Sequence, residues 1–153
     1  MRLTTVAALA LSLACGKTEK APEAAPAAAL PAPAPAPTFN LAEAAGTWNY
    51  VAKSATGDTV LVKAEMTATA DALGWTILLP GRPAMPVTVT VSGDSVMTMV
   101  GPYDSILRKG VKVTTEGVLH MKDGMMMGTS TAHYTVKTAD SVRYLMVEAT
   151  RKP

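Results

Sequence analysis

The chain has 153 residues, with 14 lysines and arginines against 12 aspartates and glutamates, a formal net charge of +2. That balance, with basic residues scattered at Lys53, Lys63, Arg82, Lys112, Lys122 and Lys137, lacks the basic stripe interleaved with aromatics that nucleic-acid binding needs, so no nucleic-acid partner is expected. The length leaves room for one core, and with 10 methionines, one phenylalanine and one cysteine that core is built of Val, Leu, Ile and Met without an internal disulfide.

Arg2 supplies a short positive start, and Leu3 to Ala14 form an uncharged, mostly apolar run. The run is shorter than the about 20 residues needed to span a bilayer, but it suits the apolar region of a signal peptide. It ends in Leu11-Ser12-Leu13-Ala14-Cys15-Gly16, with Lys17 closing it. This stretch resembles the lipobox of bacterial lipoproteins, with Ser12 standing where leucine is most usual. The resemblance implies cleavage before Cys15 and acylation of that cysteine, so the membrane is the expected partner at this end. Gly16, rather than aspartate, in the next position implies the outer membrane, with the chain facing the periplasm. The expected division is a signal peptide over 1–14, a lipidated cysteine and tether over 15–38, and a folded domain over 39–153.

Lys17 to Pro37 is alanine and proline with a few charges, ending in Pro31-Ala32-Pro33-Ala34-Pro35-Ala36-Pro37. Alternating proline removes backbone donors and biases its neighbours toward extended conformations. Such a segment is expected to serve as a semi-rigid spacer.

From Phe39 the pattern changes to period two. Phe39 to Ala45 is a short helical lead-in, and Gly46-Thr47-Trp48-Asn49-Tyr50 opens the first strand. In the second, Val60, Val62, Ala64, Met66 and Ala68 alternate with Leu61, Lys63, Glu65 and Thr67. Trp75, Ile77 and Leu79 mark a third strand, and Val87, Val89 and Val91 a fourth. Gly93-Asp94 turns into a fifth over Ser95–Val100, and a long loop, Gly101 to Gly110, leads to a sixth over Val111–Met121. Asp123-Gly124 is a hairpin signal of type I′, leading into Met125–Val136 and then a last strand to about Thr150. Eight strands in simple succession predict an all-β fold. An antiparallel up-and-down barrel, which leaves no free edge, is favoured over an open sandwich.

Gly46-Thr47-Trp48 resembles the Gly-x-Trp motif on the first strand of lipocalins and their relatives, and the strand order along 46–150 is similar to theirs. The resemblance implies a barrel plugged at one end by Trp48, packed against an arginine of the closing strand. Arg143 and Arg151 both lie near the C-terminus, Arg143 early in its strand and Arg151 almost at the chain's end. The barrel-closing set that the resemblance implies is Gly46, Trp48 and Arg143.

No catalytic constellation is found, and no enzyme activity, cofactor or metal is expected. His120 and His133 fall on neighbouring strands without the further ligands zinc requires. Met125-Met126-Met127 cannot converge on copper, because successive strand residues face opposite sides, and Met126 is the one expected in the core. Ser130, Asp140 and Ser141 offer no nucleophile elbow. Two functions follow. The first is an envelope lipoprotein whose barrel holds a small apolar ligand against Tyr50, Val62, Met66, Trp75, Ile77 and Tyr134. The alternative is a packed barrel that meets another envelope protein through its outer surface or the Gly101–Gly110 loop.

Overall fold

A computed structural model describes residues 38–153. The signal peptide, Cys15 and the Ala/Pro segment through Pro37 lie outside the described residues. One helical turn, α1 (Leu41–Ala44), precedes β1 (Gly46–Ser54), β2 (Val60–Ala68), β3 (Thr76–Leu78), β4 (Met85–Pro86), β5 (Thr88–Ser92), β6 (Ser95–Asp104), β7 (Lys112–Lys122), β8 (Met125–Tyr134) and β9 (Val142–Arg151). All pairings are antiparallel. They run in the order β4-β3-β2-β1-β9-β8-β7-β6-β5, an up-and-down meander.

The two ends of this sheet, β4 and β5, are separated in the chain by Val87 alone, so the sheet is curled into a nearly closed barrel. The expectation of eight strands is corrected to nine. The segment read as a single fourth strand pairs first with β3, at Met85 and Pro86, and then with β6, from Thr88 to Ser92. Pro86 has no N–H for a continuing ladder, and the chain crosses the seam there. Val87 N still donates to Trp75 O at 2.9 Å, tying the crossing to the β3 side. β6 also runs past its expected end. After an irregularity between Val100 and Tyr103, pairing with β7 resumes at Tyr103↔Val113 and Asp104↔Lys112. The loop there is therefore shorter than the expected Gly101–Gly110.

Alternation carries the core. Trp48, Ala52, Met66, Ile77, Val89, Val96, Leu119, Val147 and Ala149 are buried together. Of the three consecutive methionines on β8, Met126 alone is fully buried, and its neighbours are half-exposed. Between β7 and β8 the wall is drawn in so closely that a Cβ on Gly128 would lie 1.9 Å from Val118 O. Only a residue without a side chain fits so close an approach.

One end of the barrel is plugged. Asn40 caps α1, its Oδ1 accepting from Ala42 N at 3.0 Å and Glu43 N at 3.3 Å. Trp48 is completely buried beneath the helix and donates its indole N–H to Ala44 O at 2.8 Å. The Arg151 guanidinium lies 4.3 Å from the Trp48 ring centroid. It donates to Ala45 O and Glu43 O, both at 2.6 Å. A Cβ on Gly46, which has φ +138°, would stand 2.5 Å from Arg151 Nη1, so glycine is what lets the arginine lie flat there. This corrects the expected closing set of Gly46, Trp48 and Arg143. Arg143 is exposed, opposite Ala132 near the other end of β9, whereas β1–β9 pairing sets Arg151 directly across from Trp48.

Candidate functional site

The six expected ligand-lining residues do not share one cavity. Met66 pairs across from both Trp48 and Ile77, and all three are packed in the core near the plugged end. Trp75 is buried there as well, its indole N–H shared between Asp71 O at 3.0 Å and Thr69 O at 3.1 Å. Tyr50, Val62 and Tyr134 lie toward the opposite end, the mouth. Val62 and Tyr134 line a hollow there of about 30 Å³, together with Tyr103, Ser105, Leu107, Thr115 and Ala132. That volume admits about one water molecule. The expectation of a six-residue apolar pocket is corrected accordingly: the small interior side chains are matched by inward-pointing rings, and the barrel is filled.

The mouth is polar inside. Tyr50 sends its hydroxyl into the interior, where burial pushes its pKa up to about 12, partly offset by a hydrogen bond with Ser130. Burial raises the Tyr103 hydroxyl too, against a hydrogen bond with Thr115 that lowers it. Ser130 is itself buried on β8.

Residues 105–110 fold across this end as a cover. Ser105 is buried, and its N–H donates to Val111 O at 2.7 Å. Its hydroxyl accepts from Leu107 N at 3.1 Å and Arg108 N at 3.0 Å, a local turn that short hydroxyl side chains favour. Arg108 then lies over the Tyr134 ring, 4.2 Å from its centroid, and pairs with Asp140 at 2.6 Å. The hydroxyl of Thr138 and then Arg108 hold the Asp140 carboxyl below the usual carboxylate range. Asp104, paired with Lys112 at 2.9 Å, is lowered in the same way. Arg82 reaches across the seam and donates to the Asp104 carbonyl.

The outer wall over β5 to β9 carries a feature that the sequence reading missed. Across the strands the register runs Thr90, Met97, Val118, Thr129, Met146. Met97, Val118 and Met146 are each close to half exposed, as is Met99. A hollow of about 370 Å³ lies over this ladder, edged by threonines and Glu116. The signal was present: Met97 and Met99 are out of phase with the inward Val96 and Val100.

His120 pairs across from Met127 and His133 from Thr114, well apart along β7 and β8. Among the described residues no three His, Cys, Asp or Glu side chains are grouped to hold a metal ion. Comparison with protein-family models, curated proteins and solved structures found no match to this chain.

Proposed function

We propose that the chain is a lipid-anchored lipoprotein of the cell envelope, tethered through Cys15 to the outer membrane on its periplasmic side. Its filled, lipocalin-like barrel works as a docking module for another envelope protein. The observation that carries the docking role is the pairing of a filled interior with an exposed apolar ladder, Met97, Val118 and Met146, on one outer wall. Exposed apolar surface of this kind, rimmed by polar groups, marks interaction sites. Methionine suits such a surface because its thioether chain adapts to the partner. Glu116 stands beside the ladder, and among the described residues its one ion-pair contact is with His133, at 3.9 Å. The fitting partner therefore presents apolar side chains around a basic residue.

The interior-ligand reading has less support, because the hollow of about 30 Å³ is too small for a ligand as the mouth stands closed. The lipocalin-like architecture is supported by the Gly46–Trp48–Arg151 plug.

The test places a photo-crosslinking residue at Met97, Val118 or Lys63 in the membrane-anchored chain. The expected result is one adduct of fixed size from Met97 and Val118, none from Lys63 on the opposite wall, and loss of the Met97 adduct in Val118→Lys. Equal adducts from all three positions, or none, would overturn the docking role. Anchoring is tested separately: Cys15→Ser is expected to move the chain from the membrane fraction to the soluble one.

A further inference from the structure

The barrel wall is incomplete where β4 leaves the sheet. The β5–β6 ladder ends at Thr88↔Met99, while β4, two residues back along the chain, is paired with β3. Between the diverging strands lies a wedge-shaped hollow of about 240 Å³, bordered by Met85, Pro86, Met99, Pro102 and Tyr103. Tyr103 borders the inner hollow at the mouth as well. One half-buried ring thus separates a cleft on the outside from the polar interior.

We propose that this seam cleft binds a compact aromatic molecule bearing one hydroxyl group, with Tyr103 as its movable inner wall. Four observations lead there. Two thioether side chains, Met85 and Met99, border the gap, and sulfur contacts with aromatic rings are favourable. The two prolines give rigid apolar edges and lack N–H groups, so an added strand finds no continuous ladder to extend. The volume is below that of drug-sized pockets and suits one or two fused rings. Behind the cleft Tyr103 and Thr115 border the same small hollow, and the Thr115 hydroxyl is a partner that a ligand hydroxyl can take.

Around Tyr103 the β6–β7 ladder is interrupted between Val100 and Tyr103, so its backbone is less constrained than the rest of β6. Displacement of this ring joins the cleft to the inner hollow. The cleft adjoins the docking ladder and shares Thr88 and Met99 with the hollow over it, but the titration is read without any protein partner, so its failure and the failure of docking are told apart.

The test uses the whole chain carrying Cys15→Ser, so that no acyl chain competes, and titrates it with 2-naphthol and with naphthalene. Saturable 1:1 binding of 2-naphthol is expected, at least about tenfold tighter than naphthalene, the order of one hydrogen bond gained in a shielded site. Met99→Lys, a change at an exposed position, is expected to weaken 2-naphthol about tenfold or more. Thr115→Val is expected to erase the preference over naphthalene, and Tyr103→Trp to reduce binding of both probes by filling the cleft. Absence of saturable binding, or binding indifferent to Met99→Lys, overturns the site. Binding that responds to Met99→Lys but not to Thr115→Val or Tyr103→Trp overturns the role given to Tyr103.

Discussion

The two ends of the barrel use the same pair of groups and secure them differently. At the plugged end Arg151 lies over Trp48, and at the mouth Arg108 lies over Tyr134, with nearly equal ring distances of 4.3 and 4.2 Å. Arg151 spends its other donors on two backbone carbonyls, above a tryptophan with no exposure at all. Arg108 spends its donor on Asp140, a carboxylate with two-thirds of its side chain in water. Arg151 is itself exposed, but a guanidinium held by fixed backbone carbonyls over a desolvated ring is tied to the core beneath it. One held by a solvated carboxylate is a fastener, because exposed ion pairs contribute little and are screened by salt. The comparison separates a permanent plug from a releasable cover.

The largest effect that would break this contrast is at the plug. Trp48→Ala is expected to cost about 3–5 kcal/mol, as for other fully buried large rings, read as a lower urea midpoint with the whole barrel unfolding together. Gly46→Ala is expected to cost less, on the order of 1–3 kcal/mol, because its Cβ meets the Arg151 guanidinium and its φ is positive. Its effect is expected to shrink in an Arg151→Ala background, a double-mutant cycle that isolates the clash.

At the mouth, Arg108→Gln is expected to cost about 1 kcal/mol or less globally, the scale of one cation–π contact at a partly exposed site. It is nevertheless expected to speed amide exchange at Leu107, Arg108 and Val111 without touching β1 or β9. The smallest effect is on acidification. The Asp140 pKa is lowered in the folded protein, so its contribution is present above the ordinary carboxylate value and is lost as pH falls through the lowered one. Chemical shifts of the 105–111 amides are therefore expected to move in that acid range before those of the plug. At the alkaline limit the order of the ends is not the issue. The raised Tyr50 pKa makes its neutral form part of the fold, so stability is expected to fall between about pH 10 and 12. Tyrosinate absorbance followed against unfolding checks this.

Much of the barrel was legible because its strands alternate cleanly, and parity alone put Trp48, Met66 and Met126 inside. Parity could not choose between Arg143 and Arg151. Both share the inward phase of Leu145, Val147 and Ala149, and the choice turned on β9 continuing to Arg151, next to the chain's end. The split at Val87 was also hidden, because the alternation of Val87, Val89 and Val91 is blind to which neighbour each half pairs with. The filled interior follows from volumes, which a pattern of apolar residues does not contain. The inward direction of Tyr50, Val62 and Tyr134 was readable, but the about 30 Å³ left between them was not. The outer methionines were readable from phase, yet methionine content alone first suggests a core.

The most direct test of the contrast between plug and cover is amide hydrogen exchange on the whole chain, resolved by residue and repeated in Arg108→Gln. The expected result is that Trp48, Tyr50 and Ala149 exchange only by global unfolding, while Leu107, Arg108 and Val111 open far more readily and accelerate further in the variant. Equal protection at both ends, unchanged by Arg108→Gln, would contradict the distinction and make the mouth as fixed as the plug.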